Sequence, residues 1–211
     1  HPLVIAAPME IEAAAEKRVI LAAGARPQEL RRLLPPLLDA ARRLSGEYPE
    51  LRFQLAAADE RHRRRLRALV ARSGVLCEVP EAPASDLLPG AALYLGKTGT
   101  IALEAALAGV PSVLLYRVSR ISYFLLSRVL GLRRRLTHVG LPNLLLGRAA
   151  VPELLQSQAT GGHIHAAAAE LLDNPGARVR QREAFASLAG ILGPPGAAER
   201  AAGEVVRFLE E

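Results

Sequence analysis

Three short polar stretches interrupt an otherwise apolar chain, and each combines residue types that suit an anionic ligand. Gly24-Ala25-Arg26-Pro27-Gln28-Glu29 opens on a glycine, which lets backbone approach a ligand closely, and carries an arginine whose planar fork suits a diphosphate. Lys97-Thr98-Gly99-Thr100 places a cation, two small hydroxyl residues and a glycine just ahead of a helical pattern. Free amides and the positive end of the helix dipole attract negative charge there. Glu104 follows Thr100 by one turn on the same helix face, so its carboxylate can accept both hydroxyls of a ribose while the helix end holds phosphates. Arg117, after the apolar run that ends at Tyr116, adds a second cation at the same sheet edge. Each stretch also has a plainer reading: a surface Arg26 in a strand–turn–helix, a capped helix with a solvated Glu104, and an Arg117 paired with a carboxylate.

Other chemistries are disfavoured. There is no GxGxxG fingerprint, no GK[ST] P-loop and no GxSxG elbow. The histidines are scattered, and His163-x-His165 lacks helical metal-ligand spacing, so neither a metal nor another cofactor is expected. The single cysteine, Cys77 in Val75-Leu76-Cys77, rules out an internal disulfide framework and a cysteine zinc cluster; it reads as a small core residue in a reducing compartment.

The elements that must position these loops follow from periodicity. Strands are predicted at 19–23, 51–56, 74–79, 91–95 and 112–116. Between them, Leu30, Leu33, Leu34, Leu37, Leu38, Ala41 and Leu44 mark an amphipathic helix, with a break expected at Pro35-Pro36 and the main helix beginning there. Further helices are predicted at 59–71, 100–107 and 119–132, and only helices beyond Leu141-Pro142-Asn143, near 152–157, 161–173, 176–191 and 197–210. Strands alternating with helices imply a doubly wound parallel sheet with helices on both faces, an α/β Rossmann-like fold whose ligands sit outside the carboxyl ends of the strands.

The net charge of +6 favours anionic partners, although arginine-rich usage can also arise from genome composition. Nucleic acid is not expected, because the aromatics, 4% of the chain, are not interleaved with basic residues as stacking platforms. There is no signal peptide and no apolar run of membrane-spanning length. The start at His1-Pro2-Leu3 without a methionine suggests a piece of a longer protein.

Leu141-Pro142-Asn143-Leu144-Leu145-Leu146-Gly147-Arg148, continuing through Val151-Pro152-Glu153-Leu154-Leu155-Gln156, closely resembles the LPNLLAG…PELLQ signature of the lipid-A-disaccharide synthase family. His1-Pro2-Leu3 resembles that family's GHP linker, Gly24-Ala25-Arg26 with Glu29 its LPGSRxxE loop, and Thr98-Gly99-Thr100 through Glu104 its SGTxxLE. Tyr116-Arg117 resembles its YR, and Gly196 to Ala202 its C-terminal GAxxRAA.

The resemblance covers essentially the whole chain and the C-terminal half of a two-domain GT-B glycosyltransferase. It implies an inverting enzyme that joins UDP-2,3-diacylglucosamine to the 1-phosphate lipid monosaccharide lipid X and releases UDP. On this reading residues 1–17 are a lead-in, 18–140 a Rossmann-like UDP-binding domain and 141–211 a helical segment completing it. UDP would be held by Gly24, Arg26, Glu29, Lys97, Thr98, Gly99, Thr100, Glu104, Arg117 and Asn143. The family's catalytic Asp lies in the N-terminal, acceptor-binding domain, so no catalytic residue is expected here and the chain alone would not turn over. The family's Ser is Ala25 here, and Lys97 replaces a small residue, which leaves donor specificity open; the alternatives are a diverged GT-B enzyme acting on another UDP-sugar or glycolipid, and a stand-alone nucleotide-sugar-binding or regulatory module. Oligomeric state is not readable from the sequence.

Residues 120–135 are expected to lie on an anionic membrane surface, at the inner face of the cytoplasmic membrane. Phe124, Leu125, Val129 and Leu130 supply apolar side chains, and Arg133, Arg134 and Arg135 a polybasic edge. Packing of the same residues on the sheet is the alternative.

Overall fold

The computed structural model describes residues 17–118, 138–194 and 196–210. The lead-in before Lys17 and the predicted helix at 119–132, with Phe124, Leu125, Val129, Leu130, Arg133, Arg134 and Arg135, lie outside the described residues. The elements in chain order are β1 (Lys17–Ala22), α1 (Pro27–Glu47), β2 (Leu51–Leu55), α2 (Glu60–Ser73), α3 (Ala84–Leu87), β3 (Leu93–Lys97) and α4 (Thr100–Leu107). They continue with β4 (Ser112–Tyr116), α5 (Leu141–Leu146), β5 (Glu153–Leu155), α6 (Gly161–Asp173), α7 (Pro175–Leu192) and α8 (Ala197–Glu210). The sheet is parallel, in the order β2-β1-β3-β4-β5.

Period-2 alternation along β1 builds both layers. Val19 and Leu21 face a cluster with α1, α2 and α6, whereas Ile20 and Ala22 face one with α3, α4 and α7. Chain direction reverses at the centre: β1 leads outward to β2, and its neighbour β3 leads the other way to β4. Ligands of open α/β sheets bind at this switch point, and the Gly24 and Lys97 loops flank it.

Three expectations need correction. The segment 74–79 is not a ladder strand: Glu78 makes a single parallel bridge with Gln54 at the outer edge of β2. Val75 and Val79 turn inward, but Pro80 has no amide to extend the pairing, and Leu76 stands 91% exposed. Cys77 packs half-buried against the larger cluster, where burial first and the Glu78 charge second push its thiol up to about 12.

Pro35 and Pro36 do not break α1, which runs unbroken from Pro27 to Glu47. A proline removes the amide that would bond the carbonyl four residues back. The carbonyl that Pro36 leaves without a helical amide, that of Arg32, accepts from Arg117 Nη1 at 3.5 Å instead. The apolar stripe from Leu30 to Leu44, all buried, holds the helix on the sheet through the interruption.

Residues 153–155 are a strand, not part of a helix: β5 pairs with β4, Leu114 opposite Glu153 and Tyr116 opposite Leu155, followed by one 3₁₀ turn at Gln156–Gln158. The C-terminal segment therefore contributes to the sheet as well as helices. Among the described residues no helix is long and apolar enough to cross a membrane.

Candidate functional site

At the carboxyl edge of the sheet, between the ends of β1, β2 and β3, lies a cleft of about 300 Å³. The β1–α1 loop lines it with Gly24 and Ala25, the β2–α2 loop with Ala56, Ala57 and Ala58, and the β3–α4 connection with Lys97 through Ile101 and Glu104. His62 and Ala84 complete the wall. Six of the ten residues expected to hold a nucleotide thus share one cavity: Gly24, Lys97, Thr98, Gly99, Thr100 and Glu104.

The α4 N-terminus opens onto the cleft. Gly99, at φ 157° and ψ −165°, sits in backbone space that is essentially glycine's own, and it is the N-cap of α4. Its carbonyl accepts from the amides of Ala102 and Leu103, so the amides of Thr100 and Ile101 have no partner within the helix. Thr98 is buried, and its amide donates to Leu115 at 3.0 Å, which keeps the loop on the sheet axis. Glu104 stands half-buried one turn in.

The loop after β1 is held by Glu29. Its Oε2 accepts the Arg26 amide at 3.3 Å, the N3 half of a capping box on α1, and its Oε1 pairs with Lys97 Nζ at 2.8 Å. Burial opposes ionisation of Glu29. The Lys97 hydrogen bond, the Arg26 amide and the charges of Lys97 and Arg26 outweigh it and hold the carboxyl below its ordinary value. Gly24, at φ 84°, lies so close that a Cβ there would stand 2.9 Å from Glu29 Cβ.

Arg26 is exposed at the head of α1, beside the cleft rather than in its wall. Two expected ligands are turned away. Arg117 does directly follow β4, but its guanidinium is directed to the Arg32 carbonyl. Asn143 is 1% exposed, with its amide engaged inside the protein: Nδ2 donates to Val151 O and Glu153 Oε1, and Oδ1 accepts from the amides of Ala150 and Val151. From within α5 it reaches Val151 and Glu153 and so fastens the sheet's last strand.

His62 is a wall residue that the sequence reading passed over. Its backbone amide donates to Asp59 Oδ1, the N-cap of α2, and its Nδ1 accepts the Ala58 amide at 3.0 Å. An Nδ1 that accepts is unprotonated, so the ring is neutral with its hydrogen on Nε2. Burial lowers its pKa; Asp59 opposes that and Arg65 adds to it. The unfolded chain therefore binds the proton more readily than the folded one. The stability that neutral His62 contributes is complete above the ordinary value of 6.5 and is lost as pH falls below it. His62→Asn is expected to lower Tm at pH 7.5 and to show a smaller further fall by pH 5.5 than wild type, as read in paired melts. Equal falls in both would mean that His62 titrates normally. The signal in the sequence was its place three residues after a capping Asp59 that closes a run of small residues.

Much of the arginine-rich face of α2 has a structural task. Arg63 Nε and Nη2 donate to Pro80 O and Glu81 O, and Arg67 Nη2 to Val79 O, which pins the stretch leading to Ala84 in the cleft wall. Among the described residues no group of three or more His, Cys, Asp or Glu could hold a metal ion.

The family model for lipid-A-disaccharide synthetase matches residues 6–189. The chain belongs to the lipid-A-disaccharide synthetase family. Among curated members, the synthase of Geobacter sulfurreducens is 33% identical over 194 residues, 92% of this chain and 50% of that protein. That of Myxococcus xanthus is 38% identical over 187 residues, 88% of this chain and 48% of the other. The chain spans about half the length of the curated relatives it matches. Among solved structures, the S. aureus MnaA–UDP complex superposes with a TM-score of 0.60 at 19% identity, covering 92% of this chain and 46% of that one. The pneumococcal O-GlcNAc transferase GtfA with UDP and GlcNAc gives 0.54 at 17%, covering 92% and 36%. At such identities the likeness is one of fold, and the family's fold here is GT-B-like.

Proposed function

We propose that this chain is the donor-binding half of an inverting glycosyltransferase that joins UDP-2,3-diacylglucosamine to lipid X, and that the switch-point cleft takes the UDP moiety. The observation that carries this reading is the convergence of the free α4 amides, Lys97 and Glu104 in one cleft of a family member. A solved structure of similar fold, the MnaA complex, contains UDP. In this arrangement the α4 N-terminus receives phosphate, and Glu104, one turn deeper, accepts the ribose hydroxyls.

Transfer makes UDP a leaving group, and negative charge grows on its phosphate oxygens as the glycosidic bond breaks. Oriented amides and a fixed ammonium stabilise that charge without reorganising. Activation of the acceptor hydroxyl belongs to the half of the enzyme that carries the family's catalytic Asp. The apolar, arginine-edged segment 120–135 is assigned to the anionic membrane surface, at the inner face of the cytoplasmic membrane, where the lipid substrates reside.

Calorimetric titration tests the assignment. UDP should bind the purified chain and raise its Tm by mass action. Glu104→Ala should cost on the order of 1.5–3 kcal/mol, roughly 10–150-fold in UDP affinity, while leaving pyrophosphate binding almost unchanged. Equal losses for both ligands would make Glu104 a structural residue, and a folded chain that ignores millimolar UDP would overturn the reading.

A further inference from the structure

Lys97, the last residue of β3 and part of the cleft wall, pairs with Glu29 in the first turn of α1. The ammonium and carboxylate are 2.8 Å apart, with side chains 30% and 16% exposed. Glu29 is anchored in turn by the Arg26 amide on its second oxygen. Lys97 is held at its other end too: the buried Tyr94 hydroxyl donates to its carbonyl at 2.9 Å. A lysine ordinarily loses most of its rotamer freedom when it grips an anion; here that freedom is already restricted. The ammonium has three N–H donors and Glu29 takes one, so it can serve a second anion without leaving the first.

The cleft wall thus carries two anion-attracting centres on the β3–α4 connection, the α4 amides and, three residues before Thr100, the clasped Lys97. We propose that Glu29 is a positioning residue that holds the Lys97 ammonium against the cleft, so that the site selects a nucleoside diphosphate over a monophosphate. One phosphate is satisfied by the helix end; the second meets Lys97. This rests on the nucleotide reading above. The opposite relation is physically distinct: a Glu29 that competes with phosphate for Lys97 would weaken binding, and its removal would tighten it.

A double-mutant cycle separates these cases. Uridine, UMP and UDP are titrated into the wild-type chain, Lys97→Met, Glu29→Gln and the double variant at fixed low salt. Gln keeps an acceptor for the Arg26 amide and removes the charge facing Lys97. Lys97→Met is expected to lower UDP affinity about 5–20-fold, with UMP and uridine changed less than about twofold, the ion being partly exposed. Glu29→Gln should lower UDP affinity about threefold, and the double variant should match Lys97→Met. If Glu29→Gln does not fold, Glu29→Asp, which keeps the charge but shortens its reach, should show the same UDP-selective loss. Tighter UDP binding by Glu29→Gln, additive effects in the double variant, or equal losses for all three ligands would each overturn the proposal. Should the wild type bind UDP while neither variant loses it selectively, this inference fails and the nucleotide reading stands; a folded wild type that binds none of the three sinks both.

Discussion

Asn143→Ala is expected to destabilise the chain by roughly 3–5 kcal/mol, far more than a residue that merely borders a ligand would. The side chain makes hydrogen bonds of 2.8 Å to Val151 O and Glu153 Oε1 and receives two of 2.9 Å from the Ala150 and Val151 amides. Glu153, the partner of one, also accepts the Val139 and Gly140 amides at 2.9 Å. Truncation leaves several buried polar groups without partners, each costing about 1–3 kcal/mol, with the sum reduced because they share one site. Asn143→Asp should also be poor at neutral pH, since it sets a second carboxylate against Glu153. It should recover partly in mild acid, when the new carboxyl can donate. Urea unfolding with an unchanged m value is the measurement. A variant of wild-type stability that has lost UDP affinity would return Asn143 to the nucleotide.

That residue shows where sequence reading runs out. The LPNLLLG…PELLQ run is specific enough to name a family, but a family signature does not say whether an asparagine faces the ligand or the protein. Only the fold of 139–153 shows that both ends of the Asn143 amide are used internally. The β5 strand inside the same run was missed for a related reason. Three residues are too few to display period 2, and Pro152-Glu153-Leu154-Leu155 reads equally as the start of a helix. What was legible is what repeats or terminates: the leucine stripe of α1, the β4 bounds, and the stops of α6, α7 and α8.

At the site, the Thr98-Gly99-Thr100 helix start and Glu104 could be placed in advance because strand–glycine–helix spacing is local. The Lys97–Glu29 pair could not, because it joins residues 68 positions apart whose meeting depends on β1 and β3 being neighbours. The same dependence explains Arg117. Its cation was foreseen at the sheet edge, but the carbonyl that it meets lacks a helical amide because Pro36, in another element, supplies none.

Gly96 offers the second large effect. It is the last but one residue of β3, paired with Ala22 of β1 at the crossover, and Tyr94 lies on the same face two residues earlier. The Tyr94 ring folds over Gly96 so that its hydroxyl reaches the Lys97 carbonyl. Burial, and then the nearby Glu104 charge, keep that phenol protonated by pushing its pKa upward. A Cβ at Gly96 would meet Tyr94 Oη at 2.7 Å and Ala22 Cβ at 2.8 Å, neither of which has room to give. Gly96→Ala must therefore expel the ring or part the two central strands. Overpacking of about 1–3 kcal/mol and the lost hydroxyl bond of about 0.5–1.5 kcal/mol together predict a loss of roughly 2–4 kcal/mol. UDP affinity should fall as well, because the Lys97 loop loses its support. The same substitution at Gly46, inside α1 with nothing within 4 Å of an added Cβ, is the control. There it should stabilise by about 0.5–1 kcal/mol, through helix propensity and a less flexible unfolded chain. Opposite signs at the two glycines would tie the Gly96 cost to the tyrosine and the strand crossing; a neutral Gly96→Ala would mean that Tyr94 does not brace the loop.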